Sequence, residues 1–135
     1  MARFFPLFSG SSGNCIYVGS EATHLLVDVG ISGKKAEAGL NSLGLTGRDL
    51  DGILVTHEHM DHVAGLGVMA RKYDVPIYAT SGTLEEIQKM GNLGKIDPAL
   101  FREVKEDVKL TIKDLTVNPM KISHDAAQPV GYRIA

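Results

Sequence analysis

Seven consecutive residues, Thr56-His57-Glu58-His59-Met60-Asp61-His62, hold three of the 5 histidines in this 135-residue chain. They lie where an apolar run gives way to helical spacing. Ile53-Leu54-Val55 reads as a short strand buried on both faces, and Val63, Leu66, Ala70 and Tyr73 recur at the period of a helix. His57 and His59 are two apart, which puts their side chains on one side of an extended segment but on different faces of a helix. The pair therefore belongs to the loop between strand and helix. Asp61 and His62 add a carboxylate and another imidazole, a donor set that suits zinc, manganese or iron better than magnesium or calcium. A loop of this kind sits beyond the carboxyl end of a strand, the edge at which α/β sheets bind ligands. The plain alternative, scattered histidines on a polar turn, explains an isolated H-x-H better than it explains H-x-H-x-D-H.

The rest of the composition narrows the class. The chain is 44% hydrophobic and carries a formal net charge of -2 from 14 Lys+Arg and 16 Asp+Glu. One globular domain of ordinary core size is expected, with no overall basic field to announce nucleic acid, although a local groove can still be basic. The single Cys15 excludes an internal disulfide and a cysteine-based structural zinc site, which fits a reducing, cytoplasmic setting. The opening stretch, Met1 to Phe8, is too short and too interrupted by Pro6 for a signal peptide or membrane span.

Taken in order, residues 3–8 and 15–18 read as strands joined by Ser9-Gly10-Ser11-Ser12-Gly13-Asn14, a turn that can also cradle a phosphate through its backbone N–H groups. Cys15 reads as a small buried residue. His24 to Gly30 predicts a buried strand ending in Asp28. An acid there needs a partner, and a metal-ligating imidazole is one; an ordinary turn acid is the other reading. His24 itself reads as a surface or edge residue. Ser32 caps a helix reaching about Leu43, with Ala36, Leu40 and Leu43 inward and Gly44 near its end. Residues 75–79 predict a strand, and Thr83-Leu84-Glu85-Glu86 matches a capping box opening a helix that ends near Gly91. Alternation at Val108, Leu110 and Ile112, a turn at Lys113-Asp114 and Leu115-Thr116-Val117 predict a hairpin covering one face. His124 follows the next strand. A lone histidine is usually structural, but a zinc site built on His57 and His59 needs one more nitrogen, and His124 and His24 are the only candidates left. Residues 129–135 read as a strand in progress, so 1–135 is expected to be the N-terminal portion of a longer domain. The element order predicts an α/β fold with a mixed sheet.

With Asp28, the Thr56 to His62 signature and His124 placed in this order, the chain resembles the N-terminal half of a metallo-β-lactamase-fold hydrolase. The segments Phe8 to Asn14, Ser123-His124-Asp125-Ala126 and Pro129-Val130-Gly131-Tyr132 resemble the YycJ/WalJ-like branch, whose members are regarded as DNA exonucleases. The resemblance implies an αββα sandwich of two similar halves with metals at one edge. It assigns His57, His59 and His124 to one ion and Asp61 with His62 to a second, zinc foremost, with manganese or iron as alternatives. It also implies a bridging aspartate and a final histidine from the second half, and neither has a counterpart before Ala135. The expected function is metal-assisted hydrolysis of nucleic-acid phosphodiester bonds by an activated water. Asp61 orients that water or accepts its proton, and Asp28 fixes a histidine tautomer. Two rivals stand beside it: a hydrolase of a small ester, thioester or lactone, and a non-catalytic metal-binding domain. A β-lactamase role is disfavoured because nothing in the sequence suggests export.

Overall fold

In the strand that leads to the histidine loop, consecutive side chains serve two different cores. Ile53 and Val55 join an apolar cluster with helix residues, while Leu54 joins a second cluster with Ile112, Leu115 and Val117. All three are fully buried, as a strand covered on both faces requires. The computed structural model describes residues 2–8, 13–123 and 125–135.

Six strands form the central sheet in sequence order: β1 (Arg3–Phe8), β2 (Cys15–Gly19), β3 (His24–Val27), β4 (Gly52–Leu54), β5 (Ile77–Thr80) and β6 (Phe101–Val104). β1, β2 and β3 pair antiparallel, and β3 to β6 pair parallel. The mixed sheet expected from the element order is therefore present. The parallel part is joined through helices, because parallel neighbours need crossovers. These are α1 (Gly33–Ser42), α2 (Met60–Val63), α3 (Leu66–Tyr73) and α4 (Ser81–Lys89). Ala36, Leu40, Leu66, Met69, Ala70 and Ile87 pack from the helices onto Leu26, Ile53, Val55 and Ile77 of the sheet region. Each fully buried aliphatic side chain there stabilises the fold by roughly 1.5–3 kcal/mol before entropy is counted. On the opposite face lies a three-stranded antiparallel sheet, β7 (Leu110–Ile112), β8 (Leu115–Lys121) and β9 (Val130–Ile134). The predicted hairpin is β7 and β8, with Lys113 in the left-handed turn. Its inward residues meet Val18, Leu25 and Leu54. The layers run helices, six-stranded sheet, three-stranded sheet.

Three expectations need correction. The helix after the histidine motif is two pieces, because Gly65 N donates to Val29 O at 2.8 Å and a Cβ at Gly65 would lie 2.2 Å from Ile31 O. Thr83 does not open α4. The cap is Thr80, the last residue of β5, whose side chain accepts from Thr83 N, so the helix starts a turn earlier than the Thr83 to Glu86 box implies. Strand β6 was not expected at all; it carries Arg102 and Glu103 outward at the sheet edge. Ser32 caps α1 as predicted, accepting from Lys35 N at 3.2 Å. No helix among the described residues is long and apolar enough to cross a membrane.

Candidate metal centre

The carboxyl ends of β3 and β4 lie side by side, and Asp28 and the histidine loop follow directly from them. Beyond β3, Asp28 turns into the left-handed region at φ 63°, a conformation that Asp adopts more readily than most residues. Its backbone N donates to Leu54 O at 2.7 Å, and Val29 N donates to His62 O at 2.9 Å. Gly30 fits because it has no side chain: a Cβ there would lie 1.7 Å from Asp61 O. Asn14 completes the seam, its N donating to Asp61 O at 2.8 Å and its O accepting from Gly30 N at 2.7 Å.

This backbone frame aims one buried carboxylate at the histidine loop. Asp28 is 4% exposed. Its Oδ1 accepts from Thr56 N at 2.8 Å, and its Oδ2 accepts from Thr56 Oγ1 at 2.8 Å and from His62 Nδ1 at 2.6 Å. Burial pushes the Asp28 carboxyl up from its ordinary value, against the hydrogen bonds from His62 and Thr56 that pull it down. Burial pulls His62 the other way, but the hydrogen bond and charge of Asp28 outweigh it and hold the imidazole above its ordinary value. Cys15, the small buried residue expected, is inert beside them. Burial first, then the Asp28 charge, pushes its thiol up to about 12.

These partners fix the tautomers of both rings. A carboxylate only accepts, so neutral His62 carries its proton on Nδ1 and leaves Nε2 unprotonated, facing the Asn14 amide. Thr56 has one hydroxyl proton and gives it to Asp28, so its oxygen accepts from Nδ1 of His57, 2.9 Å away. That leaves His57 Nε2 as the basic nitrogen. One carboxylate thus orients two imidazoles, one directly and one through a hydroxyl. The ring centroids of His57 and His62 are 3.9 Å apart and those of His57 and His59 4.9 Å. Asp61 Oδ2 lies 3.5 Å from His62 Nε2, and Asn14 Nδ2 lies 3.3 Å from the same nitrogen.

Among the described residues, no group of three or more His, Cys, Asp or Glu is arranged to hold an ion by itself. The donor chemistry nonetheless fits a borderline divalent ion: imidazoles with Nδ1 engaged and Nε2 basic, and a partly exposed carboxylate alongside. The rings of His57, His59 and His62 lie beside one another, Asp61 approaches His62, and Asp28 holds His62 from behind. His124 and the Ser9 to Ser12 part of the suggested phosphate cradle lie outside the described residues. His24 is excluded as a substitute ligand. It begins β3, at the end of the sheet away from Asp28, with its Nδ1 2.6 Å from Tyr17 Oη. The role of Thr56 was missed, and so was that of Asn14, which reads as a turn residue. A hydroxyl directly before the first histidine was the available signal for Thr56. Nothing local marked Asn14.

A family model described as Metallo-beta-lactamase superfamily matches residues 9–119. The chain is 47% identical over 131 residues to an exodeoxyribonuclease YycJ of Bacillus anthracis, covering 96% of this chain and 48% of that protein. It is 41% identical over 131 residues to an exodeoxyribonuclease WalJ of Streptococcus pneumoniae, covering 97% and 49%. The chain thus spans about half the length of the curated relatives it matches. Among solved structures, a B3 metallo-beta-lactamase with an active-site glutamic acid superposes with a TM-score of 0.81 at 17% identity, over 97% of this chain and 53% of that one. The Rm3 metallo-beta-lactamase gives 0.78 at 19% identity, over 97% and 53%. At these identities the structural likeness speaks for the fold alone.

Proposed function

The chain belongs to the metallo-beta-lactamase superfamily, and from that premise we propose that it carries part of the centre of a metal-dependent nuclease that hydrolyses DNA phosphodiester bonds. In this reading His57, His59 and His124 hold one divalent ion, zinc foremost, and Asp61 with His62 holds a second. Bound there, such ions supply a water of lowered pKa and positive charge opposite a developing phosphoryl oxyanion. The chain's own residues prepare the place. Asp28 keeps the Nδ1 proton of His62, and through Thr56 that of His57, so that both rings offer Nε2. The Asp61 carboxylate, partly exposed beside His62, orients the attacking water or accepts its proton. The observation that carries the reading is this convergence of Asp28 on two imidazoles through a shared oxygen. The DNA substrate rests on the printed names of the two relatives, and the single buried Cys15 fits a cytoplasmic setting.

The test is degradation of linear DNA by the complete protein with and without added zinc or manganese, beside a small ester, a thioester and a lactone. Metal-dependent loss of DNA that His59→Ala abolishes is the expected result. Undiminished cleavage by that variant would refute the assignment, and turnover of a small ester alone would move the substrate.

A further inference from the structure

Residues 125–129, which lead into β9, lie against the sheet edge that carries the histidine loop, and Gln128 makes most of the hydrogen bonds that tie them there. The carbonyl oxygen of Gln128 accepts from Thr80 Oγ1 at 2.7 Å and from Thr83 Oγ1 at 3.3 Å. Its side-chain Oε1 accepts from Gly82 N at 2.9 Å and from Ser81 Oγ at 3.3 Å, and its Nε2 donates to Glu106 Oε1 at 3.2 Å. Gln128 is thereby tied to the end of β5, to the N-terminus of α4 and to the segment after β6. The fit is close: a Cβ on Gly82 would lie 2.8 Å from Gln128 Cβ. On either side the backbone is tied to the histidine loop itself. Ala127 N donates to Glu58 Oε2 at 3.0 Å, and Val130 N donates to Thr56 O at 3.0 Å. Glu58 is the residue between His57 and His59, and Thr56 precedes both.

We propose that Gln128 is a positioning residue for the metal centre, setting the Asp125–Gln128 turn against the His57–His59 loop. The inference rests on the proposed metal reading, in which the loop that Ala127 and Val130 touch supplies His57 and His59. A glutamine suits the task because its amide meets two opposite demands at once. Gly82 N, at the start of α4, donates to the amide oxygen, and the half-buried Glu106 carboxylate accepts from the amide nitrogen. Neither alanine nor glutamate at 128 meets both. Exchanging the partners does: glutamate at 128 accepts from Gly82 N at a helix N-terminus, where negative charge is favoured, and glutamine at 106 returns the donor.

Four forms of the complete protein test this: wild type, Gln128→Ala, Gln128→Glu, and Gln128→Glu with Glu106→Gln. Zinc affinity is measured by chelator competition, exchange of the Ala127 and Val130 amides in the metal-free protein by mass spectrometry, and folding by thermal melting. Gln128→Ala is expected to weaken zinc binding about tenfold, the scale of lost outer contacts at metal sites, and to speed exchange at Ala127. The double exchange is expected to recover affinity to within about threefold of wild type, where Gln128→Glu alone does not. Wild-type affinity in a folded Gln128→Ala, or a double exchange no better than Gln128→Glu, overturns the inference. The glutamate pair decides the matter if the alanine variant fails to fold. A wild type that takes up no zinc overturns instead the metal reading beneath it.

Discussion

Replacing Thr56 with valine removes one hydroxyl and little else, since the two side chains have nearly the same shape and the Thr56 N–H stays on Asp28 Oδ1. Two interactions go with the hydroxyl. Asp28 Oδ2 loses the donor at 2.8 Å and is left with His62, and His57 Nδ1 loses the acceptor at 2.9 Å. The first is a hydrogen bond to a buried carboxylate and the second belongs to a ring that is 4% exposed, so neither is restored by solvent. Together they are worth about 2–4 kcal/mol of stability, measured by denaturant unfolding of the metal-free protein. The metal effect is separate. Without the Thr56 oxygen the His57 ring is no longer held in the tautomer that offers Nε2, and zinc affinity should fall roughly 10- to 100-fold by chelator competition. Thr56→Ser keeps the hydroxyl and should retain most of both quantities. A valine variant equal to wild type in zinc affinity, or a serine variant as weak as valine, would refute the relay from Asp28 through Thr56 to His57.

Two further outcomes follow from the same frame. Below its pKa His62 is protonated on both nitrogens and cannot ligate, and Asp28 holds that pKa above its ordinary value; zinc affinity should therefore begin to fall, on acidification, at a higher pH in wild type than in Asp28→Asn, and coincident pH profiles would exclude the coupling. Gly30→Ala would put a Cβ 1.7 Å from the Asp61 carbonyl oxygen, a backbone atom that no rotamer change can move, and should cost at least about 3 kcal/mol, whereas Gly91→Ala, with nothing within 4 Å, should melt within a degree or two of wild type.

Local chemistry made part of this architecture legible in the sequence. The apolar run before Thr56 and the helical spacing after His62 place the histidine loop, and the Ser32 cap and the alternation from Val108 place α1 and the β7–β8 hairpin, because in each case the signal lies within one element. Strand β6 escaped because an edge strand with Arg102 and Glu103 outward buries only Val104 fully, which leaves little apolar pattern to read. The start of α4 was misplaced because Thr80 and Thr83 lie one turn apart and both offer a hydroxyl; the choice fell to Thr80, whose strand ends there.

The residues that organise the site were harder to see for a different reason. Asn14 meets Asp61 from 47 residues away, and Gln128 meets Gly82 from 46, through main-chain groups whose donors and acceptors look the same in every residue. Asp28 was legible because an acid at the end of a buried strand is costly without a partner, so its type alone raises the question of what it touches. Asn14 and Gln128 raise no such question, since amides are common in turns and cost little there. The site is therefore readable from the histidines inward only as far as groups that burial makes expensive. Its outer supports are neutral, polar and distant in sequence, joined to it through the backbone carbonyls and amides that the sheet edge leaves to be satisfied.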